Sequence, residues 1–354
     1  MQAARYYGKE DVRVEEIDAP TLGPDEVRID VAACGICGSD LHEYAAGPGT
    51  IPTEPHPVTG ESLPITIGHE LGGTIVEVGD DVDVAVGTDV AVNPIVWCGE
   101  CRYCLAGEYN LCANGGFVGL SGGGGGFAEE LVVSEEKVVP VPDDVPTELA
   151  ALVEPFTVGL HAVRRSALSA GDSVAIFGSG PIGLTVVQAV RAAGAGDIYV
   201  SEPRDARRER AADSGADVLI DPTETDAVEA IHEGTGGGAD VAFEVAGIEQ
   251  TVQAALGAVR SGGNLTIVSL FEEPISVQPI EIVTRELDVT GTAAFQGGPR
   301  AAEEFSRTIR MFASGALDPE QLVTARIELD DIVSEGFESL LDPESDQVKI
   351  LVRP

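Results

Sequence analysis

The sequence predicts an α/β protein of two domains, one β-rich and one built on a doubly wound parallel sheet, and three observations support that class. At 354 residues the chain exceeds the size at which one hydrophobic core usually stops growing, so two cores are expected. Its texture changes near Glu154, from short β-rich runs broken by Gly and Pro to strands and helices in alternation. Directly after a buried-type strand stands Gly178-Ser179-Gly180-Pro181-Ile182-Gly183, a G-x-G-x-x-G turn that opens a helix.

In order along the chain, residues 26–33, 71–78, 89–93 and 129–133 read as strands of the first domain. Segment 121–126 carries five consecutive glycines, too flexible for the interior of an element, and reads as a loop before a strand. Beyond Glu154, apolar runs at 174–177, 198–200, 218–220, 241–243, 265–268 and 287–289 alternate with helical stretches such as 182–193 and 204–214. Six strands with intervening helices complete a doubly wound dinucleotide domain. Two further helices are expected at 301–313 and 330–341, and no solenoid or propeller period is present.

Sixty acidic residues against 21 basic ones give a formal net charge of −39, which repels nucleic acid and anionic membranes. Only three basic residues are lysines (Lys9, Lys137, Lys349), and the acids are dispersed along the chain. Such like charge opposes the compact state in ordinary salt, whereas molar salt shrinks the Debye length to about 3 Å, so a salt-rich cytoplasm such as that of a halophilic archaeon is expected. No apolar run approaches the roughly 18 residues of a membrane span, and residues 1–11 lack a signal peptide's apolar stretch. The expectation is a soluble cytoplasmic protein.

The glycine turn has a physical reading as a phosphate cradle. Gly178 makes the tight turn, Gly180 lets the backbone approach a pyrophosphate, Gly183 permits close packing of helix on sheet, and Pro181 and Ile182 begin a helix whose N–H groups face the anion. Nineteen residues past Gly183 stands Glu202, whose carboxylate would accept the ribose 2′-OH and repel a 2′-phosphate. NAD is therefore expected over NADP, although Arg204, Arg207 and Arg208 are placed to accommodate a 2′-phosphate and keep NADP open.

Cys98-x2-Cys101-x2-Cys104-x7-Cys112 puts four thiolates within fifteen residues, a spacing that can wrap one tetrahedral ion. A closed site of this kind leaves no position for substrate, so its zinc would be structural. Three other pieces carry mixed ligand types: Cys37, the pair His69-Glu70, and Glu154 before Pro155. A catalytic zinc uses such N, S and O donors and keeps one exchangeable position, but each piece taken alone is ambiguous.

Together with Gly35-Ile36-Cys37-Gly38-Ser39-Asp40-Leu41-His42, Gly68-His69-Glu70, Gly116-Phe117-Val118-Gly119-Leu120, Ala151-Leu152-Val153-Glu154-Pro155 and the ending Gln347 to Val352, these motifs resemble the polyol branch of the zinc-containing medium-chain alcohol dehydrogenase family. The resemblance spans nearly the whole chain. It implies a GroES-like catalytic domain from residues 1–155 and 293–354, with a structural zinc lobe at about 94–115, and a Rossmann NAD-binding domain at 156–292. It implies two Zn2+ ions per chain: a structural one on the four-cysteine lobe, and a catalytic one on Cys37 and His69, with Glu70 and Glu154 competing for the remaining protein-derived position. Cys34 has no role in the resemblance and reads as a small buried residue.

The implied chemistry is hydride transfer between NAD and a small secondary alcohol or vicinal diol. The metal acts as a Lewis acid on the substrate oxygen. Ser39 matches the family's hydroxyl in contact with that oxygen, His42 the relay that carries the proton outward, and Asp40 a support behind the zinc ligands. Glu43, Tyr44 and Pro55-His56-Pro57 resemble features of diol enzymes and are expected on a loop entering the substrate cleft. 2,3-Butanediol and acetoin are the first substrate pair, with sorbitol, L-threonine or a sugar as alternatives on the same scaffold. A dinucleotide-binding sensor without catalysis would lack zinc ligands or the relay hydroxyl, and neither is missing. A homodimer or homotetramer of closed symmetry is expected from the family.

Overall fold

The computed structural model describes residues 1–298 and 301–354, the side chains of Ala301 and Ala302 excepted. Pro299 and Arg300, within the stretch 293–354 assigned to the catalytic domain, lie outside the described residues. Two compact units emerge. One comprises Met1–Glu154, Gln296–Gly315 and Val323–Pro354, and the other Pro155–Phe295 with Ala316–Leu322.

The first unit is built mainly from antiparallel strands, with one parallel pair between 323–328 and 349–353, and its strands alternate between a buried and an open face. Glu26–Gly35 shows this period of two along most of its length, with Val27, Ile29 and Val31 inward. Among the described residues it lies inside a seven-stranded sheet in the order 138–140, 89–92, 70–78, 26–35, 349–353, 323–328, with 130–134 also pairing on 26–35. A smaller sheet joins 11–16, 2–8 and 65–66. Tyr6, Phe127, Phe337, Ile29 and Ile350 belong to the core between these elements.

Two pairings in this unit position its chemistry. Gly35 lies opposite Glu70 on the neighbouring strand, and Leu351 opposite Gly35 on the other side, so the chain's end runs beside the strand leading to Cys37. A Cβ at Gly35 would fall 2.2 Å from the Glu70 carboxylate, so a larger residue there would displace that carboxylate from its place.

The glycine run is a loop before the strand Glu130–Ser134, as expected. It forms no regular element, but a Cβ on Gly125 would meet the Thr66 and Ile67 carbonyls at 2.5 and 2.6 Å, and one on Gly126 the Cys34 sulfur at 2.7 Å. Gly122, Gly123 and Gly124 have φ of +86°, +76° and +80°, and Gly125 is small because its backbone passes against backbone. The helix expected at 330–341 resolves into other forms, a 3-10 turn Leu329–Asp331, a π-helix Ile332–Phe337 and a short α-helix Glu338–Leu341. Gly336 sits in the widened turn, where a Cβ would approach Ile36 Cδ1 to 2.7 Å.

The second unit is a parallel sheet in the order 218–220, 198–201, 174–177, 239–244, 259–267, 288–291, the six-strand doubly wound arrangement. Val174–Phe177 and Ile198–Ser201 are buried throughout, as strands covered on both faces must be. Phe177, Tyr199, Ile231, Val252, Leu256 and Leu265 share its core. No helix of the described residues is long and apolar enough to cross a membrane.

Candidate metal centres and dinucleotide turn

The helix Gly38–Ala46 begins where the strand Glu26–Gly35 ends, with Cys37 as its N-cap. Asp40, at the third helical position, closes the cap by accepting the Cys37 N–H through Oδ2 at 2.9 Å. Its other oxygen, Oδ1, lies 3.6 Å from Nδ1 of His69. That contact turns Nε2 of His69 toward Ser39, whose Oγ is 3.3 Å away. One buried carboxylate therefore orients both the cysteine and the histidine, as the outer partners of metal ligands do.

Ligand atoms of Cys37, His69 and Glu70 all lie within 4.8 Å of one another. His69 and Glu70 are buried and Cys37 half-buried. Burial alone would lower the pKa of His69, but the Asp40 carboxylate and Cys37 hold it well above the ordinary histidine value. Glu154, in the first turn of the helix Val153–Arg165, is buried too, and stands outside that trio. Burial first, and then the charge of Glu70, push its carboxyl up to about 8. The trio brings a thiol sulfur, an imidazole nitrogen and a carboxylate to one place, with the Glu154 carboxyl near enough to feel the Glu70 charge, and this mixed donor set fits a bound metal ion.

Lys349 brings to the cluster a cation that no sequence motif assigns to it. Lys349 Nζ donates to Glu70 Oε1 at 2.8 Å, to Oε2 at 2.7 Å and to the Ile36 carbonyl at 2.8 Å. The signal was present: one of three lysines stands inside the apolar run Val348 to Val352, and a buried lysine requires a partner.

Ser39 and His42 occupy the same helix three residues apart and so share a face, with His42 half-buried. Glu43 and Tyr44 correct the expectation of a loop entering a substrate cleft. Both are buried on this helix. The Glu43 carboxylate accepts the N–H groups of Gly49 (2.9 Å) and Thr50 (2.5 Å) and the Thr50 hydroxyl (2.6 Å), stapling the following loop, while the Tyr44 ring packs on Phe337 at 5.2 Å. Cys34 is fully buried, and burial raises its thiol pKa well above the usual value.

The four cysteines of the lobe are brought together as free thiols. Sulfur–sulfur distances are 3.6 Å for Cys101–Cys104, 3.9 Å for Cys101–Cys112 and 3.5 Å for Cys112–Cys98. A tetrahedron with metal–sulfur bonds of about 2.3 Å has edges of about 3.8 Å, so this spacing matches a shared ion. It is far too long for a disulfide. Backbone N–H groups of Cys104 and Ala113 favour the thiolate of Cys101, bringing its pKa down to about 6.

In the second unit Gly178 has φ +98° and Gly180 is the N-cap of the helix Pro181–Ala192, with proline at its first position. A Cβ on Gly183 would lie 2.2 Å from the Gly178 carbonyl, so the turn closes only with glycine there; Ile182 follows Pro181 into the first turn. Glu202 directly follows the strand Ile198–Ser201 and is buried, accepting the N–H groups of Ser179 (2.9 Å) and Arg204 (3.1 Å). The three arginines separate. Arg208 is taken by the Glu202 carbonyl and by Asp205 and Asp221, whereas Arg207 lies over the turn, its Nη1 3.8 Å from where a Gly180 Cβ would be. Burial and the charge of Arg204 lower the pKa of Arg207.

Comparison with known proteins agrees with these features. Residues 23–143 match the alcohol dehydrogenase GroES-like domain, and residues 181–314 the zinc-binding dehydrogenase family. The chain is 45% identical to the (R,R)-butanediol dehydrogenase of Bacillus subtilis over the full length of both. It is 38% identical to the sorbitol dehydrogenase of the same organism, covering all of this chain and 97% of the other. The crystal structure of 2R,3R-butanediol dehydrogenase from Bacillus subtilis superposes with a TM-score of 0.92 at 44% identity, covering 100% of this chain and 99% of that one. Strand order, cysteine lobe, mixed donor cluster and full-length identity converge: the chain belongs to the zinc-containing medium-chain alcohol dehydrogenases, oxidoreductases that act on CH–OH groups.

Proposed function

We propose that this enzyme oxidises a vicinal diol, and in reverse reduces the matching acyloin, with NAD as hydride acceptor and with 2,3-butanediol and acetoin as the first pair. The observation that carries the proposal is the Cys37, His69 and Glu70 cluster with Ser39 at 3.3 Å from His69 Nε2, in a chain 45% identical to a butanediol dehydrogenase. Zinc bound by Cys37 and His69, with Glu70 or Glu154 completing the protein-derived set, would polarise the substrate oxygen. Ser39 takes the proton from that oxygen and His42, one helical turn on, passes it outward. Asp40 holds Cys37 and His69 in position through its two oxygens.

A second zinc on Cys98, Cys101, Cys104 and Cys112 is structural, giving two ions per chain. Gly178, Gly180, Pro181, Ile182 and Gly183 cradle the pyrophosphate, Glu202 disfavours a 2′-phosphate, and Arg207 leaves NADP as a second cofactor. Residues 1–155 with 293–354 act as the catalytic domain and 156–292 as the nucleotide domain, a division supported by the two compact units apart from Pro155, residues 293–295 and Ala316–Leu322, which cluster with the second. The sheet edge at Asp288–Gly291, with exposed Val289, Val283 and Ile280 nearby, suits association into a homodimer or homotetramer. The net charge of −39 supports a salt-rich, halophilic cytoplasm as the setting.

The test is NADH absorbance with a panel of diols, sugars and amino alcohols, with and without a chelator. Chelator-sensitive turnover highest with 2,3-butanediol is expected. Preference for sorbitol or L-threonine would replace the substrate, and normal turnover by zinc-loaded His69→Ala would overturn the metal assignment.

A further inference from the structure

Glu244 is a fully buried carboxylate that neither the metal chemistry nor the glycine turn uses. It ends the strand Ala239–Glu244. Its Oε1 accepts the N–H groups of Ala246 (2.9 Å) and Gly247 (2.8 Å) and the hydroxyl of Thr251 (2.7 Å), and its Oε2 accepts the hydroxyl of Ser269. These donors come from three pieces of chain: the turn after its own strand, the helix Glu249–Ala258, and the residues beyond the strand Val259–Ile267. Burying a charge is costly unless its lone pairs are filled, and here four donors fill them. The result is a clamp that draws two loops together.

The location of the clamp gives it a role. Glu244 pairs with Phe177 on one side and Ile267 on the other, so it stands at the carboxyl edge of the sheet beside the point where strand order reverses. A dinucleotide lies across that edge, one mononucleotide half on each side of the reversal. The glycine turn and Glu202 belong to the side of 174–177, 198–201 and 218–220, which leaves the side of 239–244 and 259–267 for the nicotinamide half. The clamped turn also touches the phosphate turn, since a Cβ on Gly178 would lie 3.0 Å from that of Ala246.

We propose that Glu244 is a positioning residue for the nicotinamide half of the cofactor, fixing the turn 245–247 and the loop at Ser269 against which that half rests. It acts through those loops, not by touching the cofactor. The proposal rests on the dinucleotide reading above.

The test compares NADH and AMP binding, by calorimetry on the full-length zinc-loaded enzyme, with steady-state kinetics. AMP carries the adenosine half alone. Glu244→Ala is expected to weaken NADH binding and lower kcat by at least about tenfold while AMP affinity stays within about twofold, because the loss is one of geometry on one side of the sheet. Glu244→Gln keeps an acceptor for Ala246 and Gly247 and should recover most of the loss. If Glu244→Ala does not fold, Ser269→Ala frees one loop and should show the same asymmetry at smaller size. NADH affinity unchanged in the variant that folds, or NADH and AMP weakened in equal proportion, would overturn the role. A wild-type enzyme that binds neither nucleotide would overturn the dinucleotide reading itself.

Discussion

The ammonium of Lys349 sits 2.7 and 2.8 Å from the two carboxylate oxygens of Glu70, both side chains buried, at the edge of the Cys37–His69 cluster. Residues 279 positions apart in sequence thus share one ion pair beside the metal centre.

Removing one partner of such a pair strands the other's charge in the interior. Lys349→Met is expected to destabilise the chelator-treated protein by about 3–5 kcal/mol, measured by urea denaturation, with a smaller loss when zinc is restored because the ion offsets the Glu70 charge. Equal stability of variant and wild type without metal would show that Glu70 does not depend on the lysine.

The sulfur spacing in the four-cysteine lobe predicts a metal inventory. Cys101→Ser should lower bound zinc from about two ions per chain to about one, read by elemental analysis, and should lower the melting temperature. Zinc content that does not change would refute the structural site.

Glu43 gives a stability profile in pH. Burial would raise its carboxyl, but the hydrogen bonds from Thr50, Gly49 and Ile51 outweigh that and hold it below the ordinary glutamate value. A carboxyl depressed in the folded state stabilises fully above its unfolded value, and that contribution disappears as pH falls through the folded one. Glu43→Gln should therefore cost about 1–2 kcal/mol at pH 7, since its amide faces an N–H donor, and the gap to wild type should close toward pH 3. A gap of constant size across that range would contradict the assignment.

Glu202 faces the glycine turn from the second strand. Glu202→Ala should raise the catalytic efficiency with NADP relative to NAD, with Arg207 left as the charged group over the turn. An unchanged ratio would remove Glu202 from cofactor selection.

The charge of −39 makes salt a structural variable. The melting temperature should rise between low salt and multimolar KCl, where the Debye length falls to about 3 Å. A temperature that does not move would remove the halophilic setting.

What the sequence determined by itself depends on short-range spacing, although at 330–341 the local period gave one helix where the chain forms 3-10, π and α turns in succession. The six strands and their helices follow from local periodicity and from Gly178, Gly180 and Gly183 at fixed offsets, and the four lobe cysteines lie close enough in the chain that any compact path gathers them. Family motifs extended this to the scattered donors. Only the tertiary structure decided the rest. It turned Glu43 into a loop staple, passed Gly125 against the Thr66 and Ile67 carbonyls, and drew Lys349 and Glu70 together through strands paired on either side of Gly35. It also gave Glu244 partners from three separate segments. The physical reason is common to these cases: a buried polar group must find its partner wherever the sheet order brings one, and sheet order is set by long-range packing that no local pattern encodes.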